Sequence, residues 1–167
     1  MHTSETRSFE KQEVTTLSGR VLNNHQELPK GIYLVRYMDY KGKRMFGGRK
    51  IVIRFAIVQG EYAGIPLERY YNVDALADEL KNGEEYAASD RRDLVREYWK
   101  LFPDKSGSGD IELNDYAEKL IRVRVESTGK DGRGNNLSKG SRYSKISELL
   151  EIVPDDYEIL FSNDEEG

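Results

Sequence analysis

The stretch GGRKIVIRFAIVQGEYAGIPLERYYNV, Gly47 to Val73, decides how this chain is read. Its first half alternates: Ile51, Ile53, Phe55 and Ile57 fall on one face of an extended strand, and Lys50, Val52 and Arg54 on the other. Gly60 breaks the run, AGIP reads as a turn, and Leu67 to Val73 makes a further strand. A half-buried strand requires the apolar face. It does not require Arg49, Lys50, Arg54 and Arg69 set among Phe55, Tyr62, Tyr70 and Tyr71. A solvated strand face is one explanation; a surface that holds phosphates with cations and stacks rings on bases is the other.

Working outward, IYLVRYMDY before this stretch is rich in β-branched and aromatic residues, with Tyr33, Val35 and Tyr37 on one side and Ile32, Leu34 and Met38 on the other. Lys41-Gly42-Lys43 reads as a turn, so three strands follow one another as a meander. After Val73 the period becomes helical. Ser89 is placed to cap a helix whose apolar positions are Leu94, Val95, Tyr98, Leu101 and Phe102, and Pro103 ends it. A short helix is expected near Asn114 to Leu120. IRVRVES then alternates, with Ile121, Val123 and Val125 inward and Arg122, Arg124 and Glu126 outward. A Gly-rich basic loop, TGKDGRGNNLSKGSR (Thr128 to Arg142), leads to a last ordered element, Tyr143 to Ile152.

The expected fold is mainly β with α: an OB-like five-stranded antiparallel barrel with a helical insertion between strands three and four. Three segments are expected: a polar, partly ordered N-terminal segment at 1–30, the OB-like domain at 31–153, and an acidic C-terminal tail at 154–167.

Charge is segregated along this outline. The net charge of the 167 residues is −4, yet residues 31–74 carry +4, 75–118 carry −6, 119–147 carry +6 and 148–167 carry −8. Such asymmetry bears on partners, not on fold. In an OB-fold, the faces of strands two and three and the loops joining strands one–two and four–five form the binding surface. Those elements coincide here with the basic segments. Arg49, Lys50, Arg54, Arg69, Arg122, Arg124, Lys130 and Arg133 are the expected phosphate contacts, and Tyr62, Tyr70 and Tyr71 the expected stacking rings.

Other chemistries find less support. With no cysteine, disulfides, thiolate zinc sites and cysteine nucleophiles are excluded. His2 and His25 are the only histidines and both lie in the polar N-terminal stretch. GKDGRGNN lacks the spacing of a phosphate-binding loop. No cofactor and no catalysis are expected. The segment Asp104 to Asp115 has calcium-loop spacing, with Asp104, Ser106, Ser108, Asp110 and Asp115 as candidate oxygen ligands and Gly109 at the turn. Against it, Asp115 stands where a bidentate Glu belongs. The N-terminus lacks an apolar leader, and no apolar run of membrane-spanning length occurs, so a cytoplasmic protein with no membrane partner is expected.

The runs GIYLVRYMDY and KIVIRFAIVQGEYAGIPLERYYNV resemble small OB-like proteins of phages and mobile elements that act in replication or recombination. The shared feature is an apolar strand ending in G-E-Y-x-G, here Gly60, Glu61, Tyr62 and Gly64. The resemblance covers residues 31–73 and implies non-enzymatic binding of single-stranded DNA. The acidic tail is similar to those of bacterial and phage single-strand-binding proteins, and a host or replication protein is the partner expected for it, besides single-stranded DNA for the domain. The tails of those proteins end close to an aromatic, whereas this chain ends six residues past Phe161. The alternative expectation is a protein-binding inhibitor or adaptor of a mobile element, using its acidic surface to block a host nucleic-acid-binding complex.

Overall fold

The computed structural model describes residues 13–15, 21–23, 27–128 and 143–154. Two short strands, β1 (Glu13–Thr15) and β2 (Val21–Asn23), pair with each other. The main sheet is built from β3 (Gly31–Met45), β4 (Gly48–Ile57), β5 (Pro66–Asn72), β8 (Leu120–Thr128) and β9 (Tyr143–Val153). Between β5 and β8 lie a two-residue ladder of β6 (Ala75–Leu76) with β7 (Tyr86–Ala87), and one α-helix, α1 (Asp93–Leu101). Short 3-10 turns occupy Ala77–Glu79, Pro103–Lys105 and Leu113–Tyr116.

The fold is therefore mostly β with one helix, as expected, but the barrel is not closed. The five strands run in the order β5-β4-β3-β8-β9, all antiparallel, and no ladder joins the two edges. β5 and β9 approach within 8 Å, Cα to Cα, without pairing. α1 packs on both edges and gives each a polar partner. The place of the helix also differs. Counted from the N-terminus, α1 comes after β5 and the β6–β7 ladder, not between β3 and β4, which a two-residue turn connects.

Local chemistry accounts for these elements. The inner face of the sheet carries Val35, Ile51, Ile53, Phe55, Ile57, Ile121, Val123 and Val125, all buried in one core with Leu94, Tyr98 and Leu101 of α1. That is the period-2 pattern of the strands meeting the 3.6-residue pattern of the helix. The helix begins at Asp93, later than the Ser89 cap would place it. The Ser89 backbone N–H instead donates to Asp74 at 2.7 Å, and Arg92 donates to the same carboxylate at 2.6 Å. The acidic stretch before it is ladder and turn because Leu76 folds onto the β3–β4 hairpin; a Cβ at Gly42 would lie 3.0 Å from Leu76 Cδ2. The short helix expected near Asn114 is a single 3-10 turn, since Leu113 and Tyr116 are both drawn into the core.

A bulge resets β3. Its register against β4 passes from Tyr37↔Phe55 to Asp39↔Arg54, leaving Met38 unpaired. Before the bulge odd-numbered residues face the core; after it Tyr40 and Gly42 do, opposite Ile53 and Ile51. Asp39, Lys41 and Lys43 are thereby turned to the outer face.

The tie across the open seam is polar. Glu97 of α1 accepts from Arg69 Nε at 3.2 Å and Nη2 at 2.8 Å, from the Tyr71 hydroxyl at 2.6 Å and from the Leu149 backbone N–H at 3.3 Å. The Arg69 guanidinium also lies 4.4 Å from the centroid of the Tyr71 ring. Glu97→Ala strands that guanidinium under the helix, and urea unfolding should register a loss of about 3–5 kcal/mol. Tyr71→Phe removes one donor and should cost about 1 kcal/mol by the same assay. Equal losses from the two variants would contradict the central place given to Glu97.

Candidate nucleic-acid interface

The structure separates the expected phosphate contacts into groups. Arg49 stands at the start of β4, opposite Arg44 in register. Two like charges placed opposite one another repel, and here carboxylates neutralise both. Arg49 donates to Glu79 at 2.7 and 2.6 Å, and Arg44 to Asp78 at 3.1 Å and to Glu79 at 3.0 Å. The Arg49 hydrogen bond first, and the Leu76 backbone N–H second, hold the Glu79 carboxyl at about 2 instead of its ordinary 4.5. Arg54 makes a two-pronged pair with Asp39 at 2.9 and 2.8 Å, which lowers that carboxyl too. Arg69 is 11 % exposed and committed to Glu97. Arg122 pairs with Glu151, and Arg124 lies 3.6 Å from Glu148, which also receives Lys100 at 3.0 Å. The five expected arginines, Arg49, Arg54, Arg69, Arg122 and Arg124, thus spend their guanidinium groups within the fold, as does Arg44. Lys130 and Arg133 lie outside the described residues.

The rings are placed unequally. Tyr71 is 1 % exposed, a core residue with no face to offer a base. Burial first, and the nearby Glu97 charge second, push its hydroxyl far above the ordinary tyrosine range. Tyr62 is half-buried against the core. Tyr70 is on the outer face of β5, opposite Val52, and its hydroxyl donates to Glu68. Alternation is the cause: Leu67, Arg69 and Tyr71 point inward and Glu68, Tyr70 and Asn72 outward, so a run read as one basic-aromatic surface is divided between two faces.

The calcium-loop candidates do not converge. Asp115 accepts from Lys105 at 2.7 Å and from the Tyr98 hydroxyl at 2.5 Å, and Ser108 donates to the Asp110 carbonyl at 3.0 Å. Among the described residues no three acidic or imidazole side chains gather as a metal centre requires. Asp104 lies within the 3-10 turn Pro103–Lys105, whose Lys105 takes Asp115 out of the set.

One cationic group joins Lys50, an expected phosphate contact, to two lysines outside the expected set. Lys43 and Lys50 lie opposite each other in the β3–β4 register, on the outer face, with Lys41 one step along the same face. The Lys50 ammonium donates to the Asn72 side-chain oxygen at 2.5 Å. Neither Lys43 nor Lys50 forms an ion pair with another described residue. Alternation placed Lys50, but its pairing with Lys43 had no signal in the strand pattern, because the Met38 bulge decides which way Lys41 and Lys43 face.

A second feature is a groove of about 830 Å³ between β7, α1 and residues 107–114. Tyr40, Tyr86 and Trp99 line it, together with Glu84, Glu85, Asp90, Asp110 and Glu112 and no cation. Glu85 accepts from the Tyr40 hydroxyl, and that bond with the partial burial of the ring pushes Tyr40 up to about 12.

No protein-family model, curated protein or solved structure matches this sequence. Among the described residues no helix is long and apolar enough to cross a membrane.

The Arg44–Arg49–Glu79 clamp has a pH signature. The folded pKa of Glu79 is below its ordinary value, so the stability it contributes is complete above about pH 4.5 and is lost as pH falls toward 2. Carboxyl-detected NMR should find a Glu79 midpoint near 2 in the intact protein and a rise toward 4.5 in Arg49→Gln. An unchanged midpoint in the variant would mean Arg49 is not the cause.

Proposed function

We propose that this chain is a non-enzymatic single-stranded DNA-binding protein with an OB-like fold, of the kind phages and mobile elements use in replication or recombination. The order β5-β4-β3-β8-β9 with an unpaired seam is compatible with the partly open Greek-key barrel of that fold. The observation that carries the reading is the Lys43–Lys50 pair. A like-charge pair directly across two strands disfavours the sheet, and on the opposite face of the same hairpin Asp78 and Glu79 relieve the equivalent Arg44–Arg49 pair. No described carboxylate relieves the lysines. A phosphodiester strand supplies that charge from outside.

Of the contacts the sequence suggested, Lys50 and Tyr70 are kept, and Lys41 and Lys43 join them. Lys41, Lys43 and Lys50 hold phosphates along the outer face of the hairpin, and Tyr70 is the ring beside them. Arg69 and Tyr71 hold the fold together. The basic loop of Lys130 and Arg133 remains part of the proposal through its sequence alone.

Anisotropy of a fluorescent dT oligonucleotide should report binding that weakens steeply with salt and exceeds binding of a duplex of equal length. Lys43→Gln with Lys50→Gln should reduce the slope of log K against log salt by about 1.4, at about 0.7 per neutralised phosphate of a single strand. Absence of binding at low salt overturns the proposal.

One observation favours a protein-binding role as a second reading: five carboxylates without a salt bridge to any described residue line an aromatic groove. Trp99 is the only tryptophan and lies in that groove, so its fluorescence reports occupancy. A lysine-rich peptide should shift the emission, and Glu85→Gln with Glu112→Gln should abolish the shift. An unchanged spectrum would remove this reading.

A further inference from the structure

We propose that Phe46 is a base-stacking residue, carried at the tip of the β3–β4 hairpin on a backbone that a phenylalanine does not favour. The inference rests on the single-strand-binding reading above and adds a contact to it. Met45 pairs with Gly48, so Phe46 and Gly47 alone make the turn, and their φ angles are +53° and +76°. A two-residue hairpin with positive φ at both positions is the type I′ turn, for which Asn-Gly is strongly preferred. Gly47 fits this turn. Phe46 does not, because a bulky side chain is rarely found in the left-handed region. Among the described non-glycine residues with positive φ, Phe46, Asn82 and Glu118, it alone is apolar.

Packing gives no reason for the ring either. Phe46 is 74 % exposed, against 49 % for Ile32 and 44 % for Met38, the other large exposed apolar side chains described. A residue that suits neither its turn nor its solvent is a candidate for a contact made only in a complex. Its surroundings identify the contact. The hairpin that ends in this ring carries Lys41, Lys43 and Lys50 on its outer face, so a strand held there by its phosphates brings bases to the tip. An unstacked base needs a flat apolar face, and Phe46 supplies one.

The test compares Phe46→Asn, Phe46→Leu and Phe46→Trp on two probes: a dT oligonucleotide and an abasic strand of the same length. Phe46→Asn should raise the melting temperature, because asparagine suits the turn. The same variant should weaken dT binding by about 5- to 150-fold, the range expected for one lost stack, with the salt slope unchanged. Phe46→Leu keeps apolar bulk without a flat ring and should also lose affinity, while Phe46→Trp should retain it. On the abasic strand all four proteins should bind alike. Full dT affinity in Phe46→Asn, alongside weakened binding in the Lys43/Lys50 variant, overturns this inference and leaves the proposed function standing. Failure of the unaltered protein to bind dT overturns both.

Discussion

A single carboxylate, Glu97, holds together what the backbone leaves apart. The sheet ends at β5 on one side and β9 on the other, and no ladder closes the gap. Glu97 takes a guanidinium and a hydroxyl from β5 and a backbone N–H from β9, with its own side chain 11 % exposed. In that setting the pair is held by geometry: several donors meet one acceptor, and removing any member leaves the others buried and unmatched. The core around it, with Tyr98, Leu94 and Leu101 from the same helix, makes burial possible. The position of α1 follows from this tie, and the path of the chain from β5 to β8 follows from α1.

Around that tie the paired arginines and the hairpin lysines divide. The guanidinium groups of Arg44, Arg49, Arg54, Arg69, Arg92 and Arg122 each face a carboxylate at hydrogen-bonding distance. A planar fork with fixed donors suits such pairs, and an ammonium on a flexible stem suits them less. Lys43 and Lys50 are left without a carboxylate partner among the described residues. The arginines belong to the architecture and the hairpin lysines to its surface. A count of basic residues per segment does not draw this distinction, and it separates the interface inferred from sequence from the one inferred from geometry.

Much of the fold was legible. Alternation in Ile51 to Ile57 and in Ile121 to Val125 placed two strands and their inner faces, and the helical spacing of Leu94, Tyr98 and Leu101 placed α1. The site was legible only in part, for three physical reasons. Partners of the arginines come from distant segments: Glu97 is 28 residues from Arg69, and Glu79 is 30 from Arg49. Adjacent tyrosines occupy opposite faces of a strand, so Tyr70 and Tyr71 could not both be surface rings. The Met38 bulge, finally, has no mark in composition; methionine is as ordinary in a paired position as in an unpaired one.

That bulge sets a rule of parity for the hairpin. Beyond Met38, every residue of β3 presents the face opposite to the one simple alternation would assign it. A single deletion there would turn Lys41 and Lys43 toward Leu76 and bring Tyr40 out among the cations. A single insertion between the bulge and the tip would do the same. Changes of two residues would leave the facing intact and only lengthen or shorten the arm. Related chains that keep this surface should therefore differ in hairpin length by even numbers, and an odd difference should come with the loss or relocation of the bulge.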